Sequence, residues 1–522
     1  MPLVDPITTV HEALDAQAVS IWEFASSVVI KPTPSDPNTW DWTPAIQSAA
    51  SSQYGTVEFQ DGVYLISASI TMPANKRFLL SKGAIIRRKQ GSGAFNMLVA
   101  TSVASTMIIG GTIDGNRAAD SLSPTNPAQR FSGIHFTGCS FPEIRGVKVI
   151  GTVNNETNGG IYVDGCTDPV VDSCIATDND RTGIVLFNNT RGRFARNTGY
   201  SNIGSGITSS TNVDCEYFEN VCYSNGSGGT YTGLNASGLR SRVIGNLSYS
   251  NTGSGISAGE STHEADDSEI IGNICYSNGL DGVTIQTSVG VKIIGNTLSL
   301  NTRDGVRALT GSNKTKVVGN DVRSNTQRGI YITVGSGNVV ADNESSFNGI
   351  YGIHLETPVL DSLVSGNFTE GNGSAAGANA SGIVVSGSNH VIGGNRSRDN
   401  GSGTQLFGLW MSGATACQVH DNILSGNVTQ GIRETSSPTY ASRANKIGTD
   451  IPTGQFTATA ASTATVVSNN NARVVNRIKV YPLNSAAAAR PGFVSSISVG
   501  VSFTVTFSGN SAGTEIYGYE ID

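Results

Sequence analysis

Hydrophobic and polar positions alternate over stretches of about four residues, then break at a glycine or an asparagine. Gly160-Ile-Tyr-Val-Asp is typical. An amphipathic helix would instead repeat its apolar positions every 3.6 residues over ten or more. The breaks are periodic. A glycine followed by Ile, Leu or Val recurs at thirteen positions from Gly133 to Gly431, 22–30 residues apart. In phase with it, an Asn is followed by another Asn five residues on, in ten pairs from Asn197/Asn202 to Asn422/Asn427. Repeats of this length built from short strands predict a solenoid whose successive coils pair in parallel, about 4.8 Å apart. Asn tolerates left-handed backbone, so the pairs are expected at the corners, with side chains hydrogen-bonding from coil to coil.

The segment ahead of the repeat carries more specific motifs. Asp41-Trp-Thr-Pro-Ala-Ile-Gln-Ser-Ala-Ala reads as a capping helix, followed by Gly55-Thr-Val-Glu-Phe, Gly62-Val-Tyr-Leu-Ile and Gly111-Thr-Ile-Asp-Gly-Asn. That order resembles the opening of pectin-lyase-like proteins, which implies an all-β fold, the right-handed parallel β-helix. Ala18-Val-Ser-Ile-Trp-Glu-Phe resembles the lead-in common in bacteriophage tailspikes. Beyond Asp450 the coil pattern stops, and alternating strands are expected at Arg473–Val480 and Ser496–Phe507. A β-rich tail there resembles the trimerisation or tip module of a tailspike; a monomeric cap or carbohydrate-binding sandwich is the alternative. The expected domains are 1–40 (lead-in, with a short helix expected over Ile7–Phe24), 41–450 (β-helix) and 451–522 (C-terminal module).

Composition narrows the partners. With 63 glycines, 14% charged residues and a net charge of -7, the composition argues against nucleic acid, whose phosphates call for a basic face. No run of 18 apolar residues exists, so no membrane-spanning helix is expected. The opening MPLVDPITTVHEALDAQAV has no basic region followed by an apolar run, which favours a chain made in the cytoplasm. The seven cysteines lack close CxxC spacing and read as reduced core thiols.

With the Ile after each Gly placed inward, alternate residues form two outward columns. These include Asn235, Gln286, Arg307, Tyr331, His354 and Trp410, a mixture of rings, amides and charges suited to sugar recognition. A solvated face with incidental aromatics is the plain alternative. The Gly255 coil has 18 residues between its glycine and the next Asn, against the usual 13–15. Its extra residues form an acidic loop at 259–269 containing Glu260 and Glu264. Asp281 and Asp304 share one register just ahead of the next two strands. Glycoside hydrolysis needs two carboxyls about 5–5.5 Å apart for retention or about 6.5–9.5 Å for inversion. Glu260 or Glu264 with Asp281 or Asp304 is therefore the expected pair, and His354 with Glu356 is the rival. The Asp residues read equally as corner residues bonding their own turn. The reaction calls for no cofactor, although the 260–269 loop suits Ca²⁺ as well as water.

The N-T-D and G-H-G elements of polygalacturonases and the D-P-H of mannuronan epimerases are absent. The expectation implied by the tailspike resemblance is a homotrimer in a virion tail, attached to tail or baseplate proteins. It would bind a capsular or lipopolysaccharide glycan at the host surface and cleave it by endo-hydrolysis. A lyase using Arg307, Tyr331 and His354 is the second reading, and a non-catalytic receptor fibre the third.

Overall fold

A computed structural model describes residues 18–445, apart from 121, 123–125, 154–157 and 260–262, together with Ala487 and strands between 453 and 521. Its chain divides into two compact units, residues 1–325 and 326–522. In the first unit, Ala18–Ser20 pairs in parallel with Thr56–Phe59. The capping helix forms over Thr43–Ala50, burying Ala45, Ile46, Ala49 and Ala50. Coils then follow, each contributing three short strands to three parallel sheets. The first sheet is built from the strands at the Gly-Ile repeat. Its inward positions stack as Ile134, Ile161, Ile184, Ile207, Leu234, Ile256, Val283 and Val306, each directly over the last. All of them are buried, so the period-2 pattern becomes an apolar column along the core.

The repeated glycine has a steric origin rather than a conformational one. A Cβ on Gly206 would stand 2.8 Å from the Gly233 carbonyl oxygen and 2.9 Å from the Asn225 amide nitrogen. The coils approach too closely there for any side chain.

The paired asparagines form ladders. Asn220 Nδ2 donates to Asn246 Oδ1 at 2.9 Å and to the Phe194 carbonyl, while Asn246 in turn donates to Asn273. A second ladder runs through Asn202, Asn225, Asn251, Asn278 and Asn301. The left-handed residue is the one before each Asn, not the Asn itself: Ser224 (φ 51°), Ser250 (φ 53°) and Gly272 (φ 62°) turn the corner. The Asn side chain is thereby aimed inward, where its amide is fully satisfied in a dry environment.

The second unit repeats the arrangement. Ile330, Ile353, Ile383, Leu409 and Ile432 stack in register. Its ladder holds one surprise. Asn400 is exposed and accepts from the Ser402 amide, while Gln405 takes the expected place, accepting from Asn372 at 3.1 Å and donating to Asn427 at 2.8 Å. Towards the C-terminus stand two three-stranded antiparallel sheets, with Phe503, Val505, Phe507 and Tyr517 buried together. The expected strand near 473–480 is Ile478–Pro482, residues 471–477 lying outside the described set, and the second expectation resolves into Gly492–Ser498 and Ser502–Phe507. All seven cysteines are buried and unbridged. Among the described residues no helix is long and apolar enough to cross a membrane.

Candidate functional site

In the second unit the outward positions of the first sheet gather rings, a carboxylate and guanidiniums into one patch. Tyr331 and His354 lie opposite each other on adjacent coils. Their rings stack at 5.0 Å with planes 13° apart. Glu356 follows His354 by two residues and accepts a short hydrogen bond from the Tyr331 hydroxyl. Arg328 lies over the Tyr331 ring, its guanidinium 4.0 Å from the centroid. The Tyr351 ring meets His354 edge-on at 5.1 Å and Trp410 at 6.2 Å. Trp410 is fixed by its indole N–H, which donates to Thr435 Oγ1 at 2.8 Å. Arg433 covers it, 4.4 Å from the ring.

Electrostatics set the state of the imidazole. Burial, reinforced by the Arg328 charge, pushes the His354 pKa down to about 3. The ring is therefore neutral near pH 7, and its Nδ1 is buried with no hydrogen-bond partner among the described residues. Tyr351 is held above the ordinary phenol range by burial. The patch can stack on a pyranose, draw an anionic group to its guanidiniums, and move a proton between neutral imidazole, phenol and carboxylate.

The first unit holds the other expected residues, and among those described the two aspartates are buried at their coil corners. Glu260 lies outside the described residues. Glu264 is exposed. Asp281 is fully buried and engaged on every side. Arg303 donates to both of its oxygens, Thr284 Oγ1 donates at 2.7 Å and the Asp304 amide at 3.1 Å. That is the corner role: the carboxylate stitches its own coil to the next. Asp304 is likewise buried, with Arg307 Nη1 3.7 Å away. Asn235 is buried and accepts from Ser237 Oγ at 2.8 Å, and Gln286 is half-buried. Two described carboxylates of the acidic loop have separate partners. Asp266 accepts from the Val289 amide and Glu269 pairs with Lys292 at 2.9 Å. No cluster of three or more potential metal ligands exists among the described residues.

Tyr331, His354, Glu356 and Trp410 thus come together within one unit, joined by residues that the outward columns did not single out. Arg328 and Tyr351 occupy the position just before the repeat glycine, the same position that holds Asp281 and Asp304. Reading that whole column would have found them.

Among solved structures, the A-module of mannuronan C-5 epimerase AlgE6 from Azotobacter vinelandii is similar over 72% of this chain and 98% of its own, with 20% identity and a TM-score of 0.54. Dettilon tailspike protein matches over 98% and 95%, with 15% identity and a TM-score of 0.43. Tailspike protein 3 of bacteriophage CBA120 matches over 83% and 62%, with 14% identity and a TM-score of 0.42. No curated protein sequence matches the chain. The model described as right handed beta helix region matches residues 97–247 and 232–359, together just over half of the sequence. The coils, their inward apolar columns and this match agree, and the chain belongs to the right-handed β-helix family.

Proposed function

We propose that this chain binds an acidic bacterial surface polysaccharide at the Arg328–Tyr331–His354–Glu356 patch and cleaves it by β-elimination, in the manner of a tailspike depolymerase. The observation that carries the reading is the stacked Tyr331–His354 pair, with Glu356 on the phenol and Arg328 against the ring. Elimination from a uronic acid needs a cation beside the sugar carboxylate, a base for the proton on C5 and an acid for the departing O4 oxygen. Arg328 and Arg433 supply the cations. His354 takes the C5 proton and Tyr331, poised on Glu356, protonates the leaving oxygen. The C4–O bond breaks as the C4=C5 bond forms. An anionic sugar beside Arg328 also offsets the charge that depresses His354, which makes the imidazole a better base once substrate is bound.

Two-carboxylate hydrolysis is less well supported, because Asp281 is saturated by Arg303, Thr284 and Asp304. A tailspike role implies a homotrimer at a virion tail, contacting tail or baseplate proteins at one end and host glycan along the shaft. The test incubates the full chain with uronate-containing capsules and O-antigens and follows reducing ends together with absorbance near 235 nm. Both signals rising supports elimination. Reducing ends alone would mean hydrolysis, and binding with neither signal would mean a receptor fibre.

A further inference from the structure

A second ring-and-carboxylate group stands in the first unit. His135 and Tyr162 occupy adjacent coils of the first sheet, directly opposite each other. Their rings stack at 4.6 Å with planes 13° apart. The Tyr162 hydroxyl donates to Asp164 Oδ2 at 3.1 Å, and Asn188 Nδ2 donates to the other oxygen at 2.8 Å. Phe187 stands across the stack at 83° to Tyr162 and is half-buried. As with His354, His135 Nδ1 is buried without a partner among the described residues, and burial lowers its pKa. The chain has therefore built the same set twice: a His–Tyr stack whose phenol donates to a carboxylate two residues along a strand of that pair. Hydrophobic coil packing does not call for a buried, unpartnered imidazole at either place.

The two sets differ in charge. Arg328-Gly329-Ile330-Tyr331 corresponds to Gly159-Gly160-Ile161-Tyr162, so glycine replaces the guanidinium. A Cβ at Gly159 would stand 2.8 Å from Val185 Cγ2, and no side chain fits there. No guanidinium is stacked on His135 or Tyr162 among the described residues. The charge beside the rings is that of Asp164, whose remaining lone pairs accept hydroxyl protons and repel a carboxylate.

We infer that His135, Tyr162, Asp164 and Phe187 form a second saccharide site, one that takes an uncharged sugar residue. The inference rests on the glycan-binding part of the proposed function but not on its cleavage chemistry. The probes are neutral oligosaccharides (malto-, cello-, manno- and N-acetylglucosamine hexamers), used with the full chain in saturation-transfer NMR and titration calorimetry. At least one should bind, and Phe187→Ala and Asp164→Ala should each weaken it about tenfold or more, whereas Tyr331→Phe should leave it unchanged. Both altered residues are partly exposed, and melting curves matching wild type establish that each variant folds. Failure of every neutral probe to bind, or binding unchanged in both variants, overturns the second site. Absence of cleavage of any acidic polysaccharide, with neutral binding intact, sinks the elimination reading and leaves this one standing.

Discussion

The Tyr331 hydroxyl hydrogen-bonds to the Glu356 carboxylate across two adjacent coils. Phenol and carboxylate can share a proton only while that bond is intact. Tyr331→Phe and Glu356→Gln should each lower cleavage of an acidic polysaccharide by about 10²–10⁴-fold, the usual range for lost acid–base catalysis. Because both side chains lie on the outward face of the sheet, melting should shift little. The readout is the initial rate at saturating substrate beside a thermal scan. Normal turnover in both variants would remove the pair from the mechanism.

Arg328 faces the Tyr331 ring as a cation. Arg328→Ala should raise KM for a uronate polymer by about tenfold or more, the loss expected for a charge-assisted contact of about 1.5–3 kcal/mol. Rescue by Lys should be partial, since an ammonium keeps the charge without the planar fork. The same variant should leave binding of a neutral polymer unaltered.

Burial holds His354 neutral in the folded chain, with its pKa down to about 3. An unfolded histidine titrates near 6.5. Between those values the unfolded chain takes up a proton that the folded chain refuses, so stability falls as pH drops below about 6.5 and continues falling toward 3. His135 and His390 are depressed in the same direction. Melting temperature against pH should therefore fall less steeply in His354→Asn than in wild type over pH 6.5–4. Parallel curves would contradict the buried neutral imidazole.

Gln405 rather than Asn400 carries the second unit's ladder from Asn372 to Asn427. Gln405→Ala leaves the buried Asn372 amide and the half-buried Asn427 carbonyl oxygen short of a partner, at a cost of about 1–3 kcal/mol for the buried one. Asn400→Ala should be nearly silent. Denaturant melts of the two variants decide it, and equal losses would contradict the ladder assignment.

If the C-terminal sheets hold three copies together, light scattering of the intact chain should give three times the monomer mass. Removing residues 451–522 should return it to one. A monomer in both forms would leave the tailspike reading without its assembly.

Much of this molecule was legible in the order of its residues, because a coil repeats. A short apolar alternation, a glycine where two backbones touch and an amide at a corner must recur once per turn, so periodicity exposes them. The solenoid and its inward columns follow from that, whereas the capping helix at Thr43–Ala50 and the strands of the β-rich tail were legible from local motifs outside the repeat. Position along an outward column was also readable, which brought Tyr331, His354 and Trp410 forward together.

What the order of residues could not decide is what each outward group touches. Asp281 and Glu356 are both carboxylates at regular positions. Only the packed coils show that Arg303 and Thr284 clamp the first inside a corner, while a phenol from the neighbouring coil meets the second. Likewise the shift from Asn400 to Gln405 depends on how the turn at Asn400–Ser402 closes, and the charge on His354 depends on how deeply its ring is covered. Local spacing determines which way a side chain points. Its partners, burial and protonation come from residues about one coil away in sequence and are decided only when the coils stack.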